Sequence, residues 1–362
     1  MQVKRLYVRD FRNATESVIE FSDGVNAICG RNAAGKTNLL EAIFYFAAGK
    51  SFRNCNDREL IRFGCDSAVV RLDFESASGE MQLTSEFTKN GRRVIRMGSS
   101  APLKMSDYLG LFRAVVFTPD HLSLIKGSPV CRRRFADIAI CQSFPRYAKT
   151  LSEYNRVLAQ KNALLKSKSS SDELFAVYND RLASLAGLIT VNRRKYLSRL
   201  ENAAGAFLED MSGGREGFAL SYQTQSGDAE TQEEVRDRYI SLLLDNLHRE
   251  KERMSCLYGT HKDDFAVYIN KKNARMYASQ GQQRSCVLAL KLAEGELSKE
   301  LTGEYPVFLL DDILSELDEG RQEFILSRIG ARQVIITGCE ENMFGRTDRS
   351  IYVEDGRICS FN

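Results

Sequence analysis

Residues 30–37 read Gly-Arg-Asn-Ala-Ala-Gly-Lys-Thr, a phosphate-binding loop, and their flanks constrain the local fold. Residues 24–29 are a short apolar run of the length of a buried strand. Residues 38–48 carry Leu39, Leu40, Ile43, Phe44 and Phe46 without a proline, as a helix does. Strand, glycine-rich loop, helix is the context in which this motif works. Gly30 and Gly35 let successive amides turn inward on a phosphate, and a helix starting near Lys36 adds the positive end of its dipole. This places Gly30, Arg31, Asn32, Ala33, Ala34, Gly35, Lys36 and Thr37 around the phosphates of a nucleoside triphosphate such as ATP. Lys36 reaches the β- and γ-phosphates as a point charge, and the Thr37 hydroxyl is the expected ligand of Mg²⁺.

A partner motif lies far downstream. Tyr305-Pro-Val-Phe-Leu-Leu-Asp-Asp312 reads as an apolar strand ending in two carboxylates. Asp311, at the tip, is placed to hold Mg²⁺ through its water shell. Asp312, next along and so on the opposite side of the pleat, is placed to orient or deprotonate the attacking water. Lys36 and Asp312 are therefore the candidate catalytic groups. Ser279-Gln-Gly-Gln-Gln-Arg-Ser285 opens a helix whose apolar face includes Val287, Leu290, Ala293, Leu297 and Leu301. It reads either as an ordinary capped helix, with Ser279 or Gln280 as the cap, or as a second anion site at a helix N-terminus. The order of phosphate loop, Ser-x-Gly-Gln helix start, apolar-Asp-Asp strand and Ser315-Glu-Leu-Asp318 resembles that of ABC-type ATPases. That resemblance implies that Ser279, Gly281 and Gln282 of one subunit close over the nucleotide held by another.

Further motifs narrow the family. Gly49-Lys-Ser-Phe-Arg53, Phe117-Thr-Pro-Asp-His-Leu122, Gly127-Ser-Pro129 with Arg132 and Arg133, and Gly259-Thr-His-Lys-Asp-Asp264 join the segments above. Together they resemble the RecF family of bacterial recombination-repair ATPases, relatives of the SMC proteins, in consistent order from residue 1 to about 358. The chain departs from the family's usual pattern at Thr260, Lys262 and Cys339. The resemblance implies a DNA-dependent, slow ATPase that forms an ATP-dependent homodimer on duplex DNA beside a single-stranded gap. It also implies RecR and RecO as partners and the loading of RecA as the outcome.

The two nucleotide motifs sit at opposite ends, so the middle is expected to be an insertion. Leu151, Tyr154, Leu158 and Leu165 follow Tyr147 at coiled-coil-like spacing. Residues 166–172 break the pattern, and Leu174, Val177, Leu182, Leu185, Ile189, Tyr196, Leu200 and Phe207 resume it up to Gly213-Gly214. Residues 230–254 read as a third helix. Helices of some 20 to 35 residues would span about 30–50 Å, a short arm. The predicted fold class is α/β, an ABC-type P-loop ATPase head with a mixed sheet and flanking helices, carrying an inserted helical coiled-coil-like arm. Residues 1–145 and 256–362 form the head, and residues 146–255 the arm.

A net charge of +3 in 362 residues is only mildly basic, so any DNA surface must be local. The basic clusters are Arg132-Arg-Arg134, Lys161 with Lys166 and Lys168, Arg193-Arg-Lys195, and Arg92-Arg93 with Arg96 beside an expected hairpin at Asn90-Gly91. Arg132, Arg133, Arg193, Arg194 and Lys195 are the DNA candidates, through phosphate contacts that give salt dependence and little base preference. Nine scattered cysteines without a Cys-x-x-Cys pair and three distant histidines make no zinc site and suit reduced thiols in a cytoplasm. The first nine residues alternate like an edge strand and lack the apolar core of a signal peptide. No apolar run approaches the length of a membrane span, so no membrane partner is expected. An ABC transporter subunit or another SMC-like chromosome protein is the alternative. A transporter ATPase would lack the arm and carry a histidine after the last strand, where Gln333-Val-Ile-Ile-Thr-Gly338 offers Thr337. A head-linked nuclease would need an added carboxylate-rich domain, for which no room is expected before Asn362.

Overall fold

Runs such as Val-Asn-Ala-Ile-Cys, Val-Phe-Leu-Leu-Asp and Val-Ile-Ile-Thr-Gly have almost no polar face, and only a sheet covered on both sides can bury them. The structure, a computed structural model, describes every residue except 54, 92, 168–170, 330–331, 340–346 and 362. Its contacts group into two units, Met1–Leu122 with Arg284–Asn362 (unit 1) and Ser123–Gln283 (unit 2).

In chain order, unit 1 begins with β1 (Gln2–Phe11), β2 (Ala14–Glu20), β3 (Val25–Cys29), α1 (Lys36–Ala48), β4 (Ser67–Ser76), β5 (Gly79–Thr88), β6 (Arg93–Met97), α2 (Met105–Tyr108) and β7 (Ala114–Phe117). Unit 2 holds α3 (Ser123–Lys126), α4 (Pro129–Ser143), α5 (Pro145–Lys166), α6 (Asp172–Ser212), β8 (Phe218–Gln223), α7 (Gln232–Asp245), α8 (Leu247–Arg253), β9 (Asp264–Ile269), β10 (Lys272–Asn273) and α9 (Ala274–Tyr277). The chain returns to unit 1 through α10 (Gln280–Thr302), then β11 (Val307–Asp311), α11 (Glu319–Ile329), β12 (Val334–Gly338), β13 (Arg349–Glu354) and β14 (Arg357–Phe361).

Two sheets make unit 1. One is six-stranded, in the order β14-β13-β3-β12-β11-β7, parallel except for β14. The other is antiparallel, β2-β1-β4-β5-β6. β1 pairs on both sides, with β2 and with β4, so it is a central strand and not the edge strand its alternation suggested. Alternation reports one buried face and is silent about lateral partners. α1 touches strands of both sheets, which is why it is buried nearly all round. The hairpin expected at Asn90-Gly91 joins β5 to β6. Arg93 is tied down there to Tyr45, Gly49 and Asp57, while Arg92 lies outside the described residues.

Unit 2 is built on an antiparallel pair, α5 and α6, packed with α4 and α7 and a three-stranded sheet ordered β10-β9-β8. Ser171 caps α6 by accepting from Leu174 N, and Gly213 ends it in a left-handed conformation. At 41 residues α6 spans about 60 Å, longer than the sequence reading allowed. The expected third helix is broken at Asn246 into α7 and α8. The contact boundaries enclose more than residues 146–255, because α4 packs on α5 and α6, and β9 packs on α4 and pairs with β8. α6 is long and apolar enough to cross a membrane, yet Leu182, Leu185, Ile189 and Leu200 are buried inside unit 2, as in a core helix.

Candidate active site

The site forms at the C-terminal edge of the parallel sheet, where β3, β12 and β11 end side by side. Register pairs Asp311 with Thr337 and Gly338 with Cys29. The phosphate loop leaves β3 at Gly30, whose φ is 154°. A Cβ there would stand 2.3 Å from the Val353 carbonyl, so only glycine fits. Gly35 has φ 114° and faces Asn13 in the same way. The loop is braced from outside: Asn13 Nδ2 and Gly356 N both donate to the Ala34 carbonyl, at 3.2 and 2.8 Å. Lys36 Nζ lies across the loop, donating to Gly30 O at 2.6 Å and Arg31 O at 3.0 Å.

The Thr37 hydroxyl donates to Asp311 Oδ1 at 2.7 Å. Thr337, from β12, donates to the same oxygen at 3.0 Å and accepts from Asp312 N at 3.0 Å. Burial pushes the Asp311 carboxyl above its ordinary pKa, while hydrogen bonds from Thr37 and Thr337 and the charge of Arg53 act the other way. A hydroxyl and a carboxylate adjoining a phosphate loop are the hard oxygen donors that Mg²⁺ takes, alongside water and phosphate. Among the described residues no group of three or more His, Cys, Asp or Glu is placed to hold a metal ion.

Asp312 corrects the sequence reading in one respect. β11 ends at Asp311, and Asp312 has φ 50°, so strand alternation does not set its direction. The left-handed turn does, held by Thr337 and by Ser315 Oγ, which donates to the Asp312 carbonyl at 2.8 Å. Sequence reasoning also missed a shell of support. Arg12 forks onto the buried Glu41 of α1 at 2.8 and 2.7 Å, Arg53 donates to Asn38 at 2.8 Å, and Asn38 donates to Asn13 at 2.7 Å. No spacing links the β1–β2 turn to the loop; only adjacency of Asn38 to Thr37 was legible.

Ser279 caps its helix, the first of its two readings. Its hydroxyl accepts from Gln282 N at 3.2 Å and Gln282 Oε1 accepts from Ser279 N at 2.9 Å, a reciprocal cap. Ser279 and Gln280 are exposed at the N-terminus of the 23-residue α10, whose dipole favours an anion. Gly281 and Gln282 follow, and Gln282 Nε2 also donates to Glu216 at 2.9 Å. In the chain Ser279 belongs to unit 2, whereas the loop and the Asp311–Asp312 pair belong to unit 1.

The basic clusters need the largest revision. Arg132 is buried and forks onto Asp264 at 2.7 and 2.8 Å. Arg193 is buried between Asp137 and the Thr260 carbonyl. A buried guanidinium spent on a carboxylate offers nothing to a phosphate, so these two leave the DNA candidates. Lys161 is likewise fully buried, 2.5 Å from Glu250. Arg133 is half-buried on the Asp263 carbonyl at 2.6 Å, and Arg194 on those of Gly227 and Ala229. Lys195 is exposed, and Lys168 lies outside the described residues.

A nucleotide loop and paired aspartates on a mixed sheet, with a helical unit inserted, define an SMC-like, ABC-type P-loop ATPase. The RecF/RecN/SMC N-terminal domain model matches residues 2–358. An Smc head domain from Pyrococcus furiosus shares the fold with a TM-score of 0.58 at 18% identity, covering 100% of this chain and 96% of that one. The DNA replication and repair protein RecF of Clostridium acetobutylicum is 36% identical over 366 residues, covering all of both chains. The solved recombination mediator protein RecF bound to ATP, of the RecFOR pathway, superposes with a TM-score of 0.93 at 34% identity, over 99% of this chain and 97% of that one. The chain belongs to the RecF family.

Proposed function

We propose that this chain is a DNA-binding ATPase of replication and repair that dimerises head to tail on ATP. One observation carries the reading. The 2.7 Å bond from Thr37 to Asp311 joins motifs 274 residues apart at one strand edge, as nucleotide hydrolysis requires. The loop amides and Lys36 hold the triphosphate, and Thr37 and Asp311 are the residues that would hold Mg²⁺. When bound, Mg²⁺ neutralises charge on the phosphates. Asp312 orients the attacking water or takes its proton, held in place by Thr337. Ser279, Gly281 and Gln282 of a second copy present a helix N-terminus to the γ-phosphate. The relatives' names, in DNA replication and repair and in the RecFOR pathway, support a role in repair; action on duplex DNA beside a single-stranded gap, with RecR and RecO as partners and RecA loading as the outcome, is the reading that the family resemblance implies. Nine free thiols suit a reducing cytoplasm.

The test is sedimentation of the wild type and Ser279→Arg with ATP, with and without a gapped duplex. The bulky cation should leave ATP binding intact and abolish ATP-driven dimerisation. A Ser279→Arg chain that still dimerised and hydrolysed ATP normally would show that the serine does not act in trans.

A further inference from the structure

The turn between β9 and β10 is a two-residue hairpin in which Asn270 and Lys271 both take left-handed backbone, φ 48° and 65°. Hairpins of this kind favour Asn followed by Gly. Asn270 fits: its Oδ1 accepts from Gly217 N at 2.7 Å and its Nδ2 donates to Arg215 O at 3.2 Å. Lysine at the second position carries a strain that glycine would not. Strain kept where the obvious residue would remove it points to a use for the side chain.

The surroundings say what that use is. From Phe265 to Gln283 the chain has three cations, Lys271, Lys272 and Arg275, and no carboxylate. All three are exposed, and among the described residues none is in an ion pair. Asp264, just before the segment, is engaged by Arg132, and Glu216, which precedes β8, accepts from Gln282. Beside the cations, on α9, Met276 and Tyr277 stand 74% and 68% exposed. A protein pocket could take the apolar pair but would leave the cations unanswered, since interface cores are depleted of lysine. Nucleic acid answers both, with phosphates for the cations and sugar and base surfaces for the rings and thioether.

We propose that the β9–β10 turn and α9 form a nucleic-acid-binding surface, with Lys271, Lys272 and Arg275 on the phosphate backbone and Met276 and Tyr277 against sugar and base. This rests on the DNA-binding reading above and places it on residues other than the clusters at 132–134 and 193–195. The experiment is fluorescence anisotropy of the full chain with a labelled gapped duplex across a salt series. Replacing Lys271, Lys272 and Arg275 together by alanine should weaken binding and lower the salt slope by about 0.9 per contact. For three contacts, a rise from about 50 to about 200 mM salt then costs the wild type about 40-fold more affinity than the variant. Lys271→Gly separates binding from folding, because it removes a cation while relieving the turn: affinity falls and the melting temperature does not. Tyr277→Ala should lower affinity and leave the slope unchanged. If the wild type binds DNA and the triple variant keeps its affinity and slope, the surface is elsewhere. If the triple variant loses only ATP-driven self-association, the surface meets a second copy and the proposal fails. A wild type that bound no DNA would instead overturn the functional reading itself.

Discussion

A single hydroxyl at Thr337 touches both aspartates, donating to Asp311 and accepting from the Asp312 amide. Aspartate and asparagine are among the few residues that tolerate the left-handed backbone found at Asp312. Asp312→Asn should therefore preserve the turn and remove only the basic oxygen. Nucleotide affinity should stay at the wild-type value while turnover falls by about 10² or more, the usual worth of a general base. Thr337→Val should lower turnover with binding retained, and Thr337→Ser should restore it. Fluorescent-nucleotide titration alongside a phosphate-release assay measures both; an Asp312→Asn chain turning over at the wild-type rate would need another base. An aspartate is one methylene shorter than a glutamate and so holds the water less closely, and wild-type turnover should not exceed about 1 s⁻¹.

At the scale of elements, the arm is held by polar side chains as much as by its apolar seam. Lys161 of α5 meets Glu250 of α8 with both side chains fully buried, and Glu250 also accepts from Leu257 N at 2.7 Å. Breaking such a pair from one side leaves a charge buried without its partner, at about 3–5 kcal/mol. Lys161→Met should destabilise unit 2 by about that much, and adding Glu250→Gln should recover part of it, since the amide still accepts from Leu257 without a charge. Urea unfolding followed by far-ultraviolet circular dichroism gives both values. Equal losses in the single and double variants would mean that the charge is not what the lysine offsets. The periodicity of α5 and α6 was readable, whereas the burial of Lys161 was not: its partner lies 89 residues away.

Across the molecule, the Gly259–Asp264 motif shows how a short polar segment can organise a whole unit. His261 sits under α5, with Nδ1 2.7 Å from Tyr154 OH and Nε2 3.2 Å from the Cys256 carbonyl. A carbonyl only accepts, so Nε2 carries the proton and Nδ1 accepts from the tyrosine. Burial first, then the charges of Lys262, Arg133 and Lys161, push the imidazole down to about 4, against the hydrogen bond to Cys256. A group favoured neutral in the folded state stabilises it fully above the unfolded pKa of about 6.5, and that contribution is lost as pH falls towards 4. Its span is about 3 kcal/mol. Asp263 works in the opposite sense, because burial raises its carboxyl and acid relieves the cost of its charge. Thermal unfolding from pH 7 to pH 4 should show a loss of stability in the wild type that is much smaller in His261→Gln. Parallel curves would assign the acid lability elsewhere.

The sequence by itself determined the nucleotide chemistry and the family. A phosphate loop is contiguous, its flanks carry their own periodicity, and Asp311 follows an apolar run that can only be a buried strand. Tertiary structure alone decided what each charged residue does. Arg132, Arg193 and Lys161 look in sequence like the solvated cations of a DNA surface, yet each meets a carboxylate brought from another element. Lys271, Lys272 and Arg275 look no different and face solvent. Local spacing reports which face of an element is apolar, but the cost of burying a charge is settled by partners distant in sequence, and only the fold supplies them.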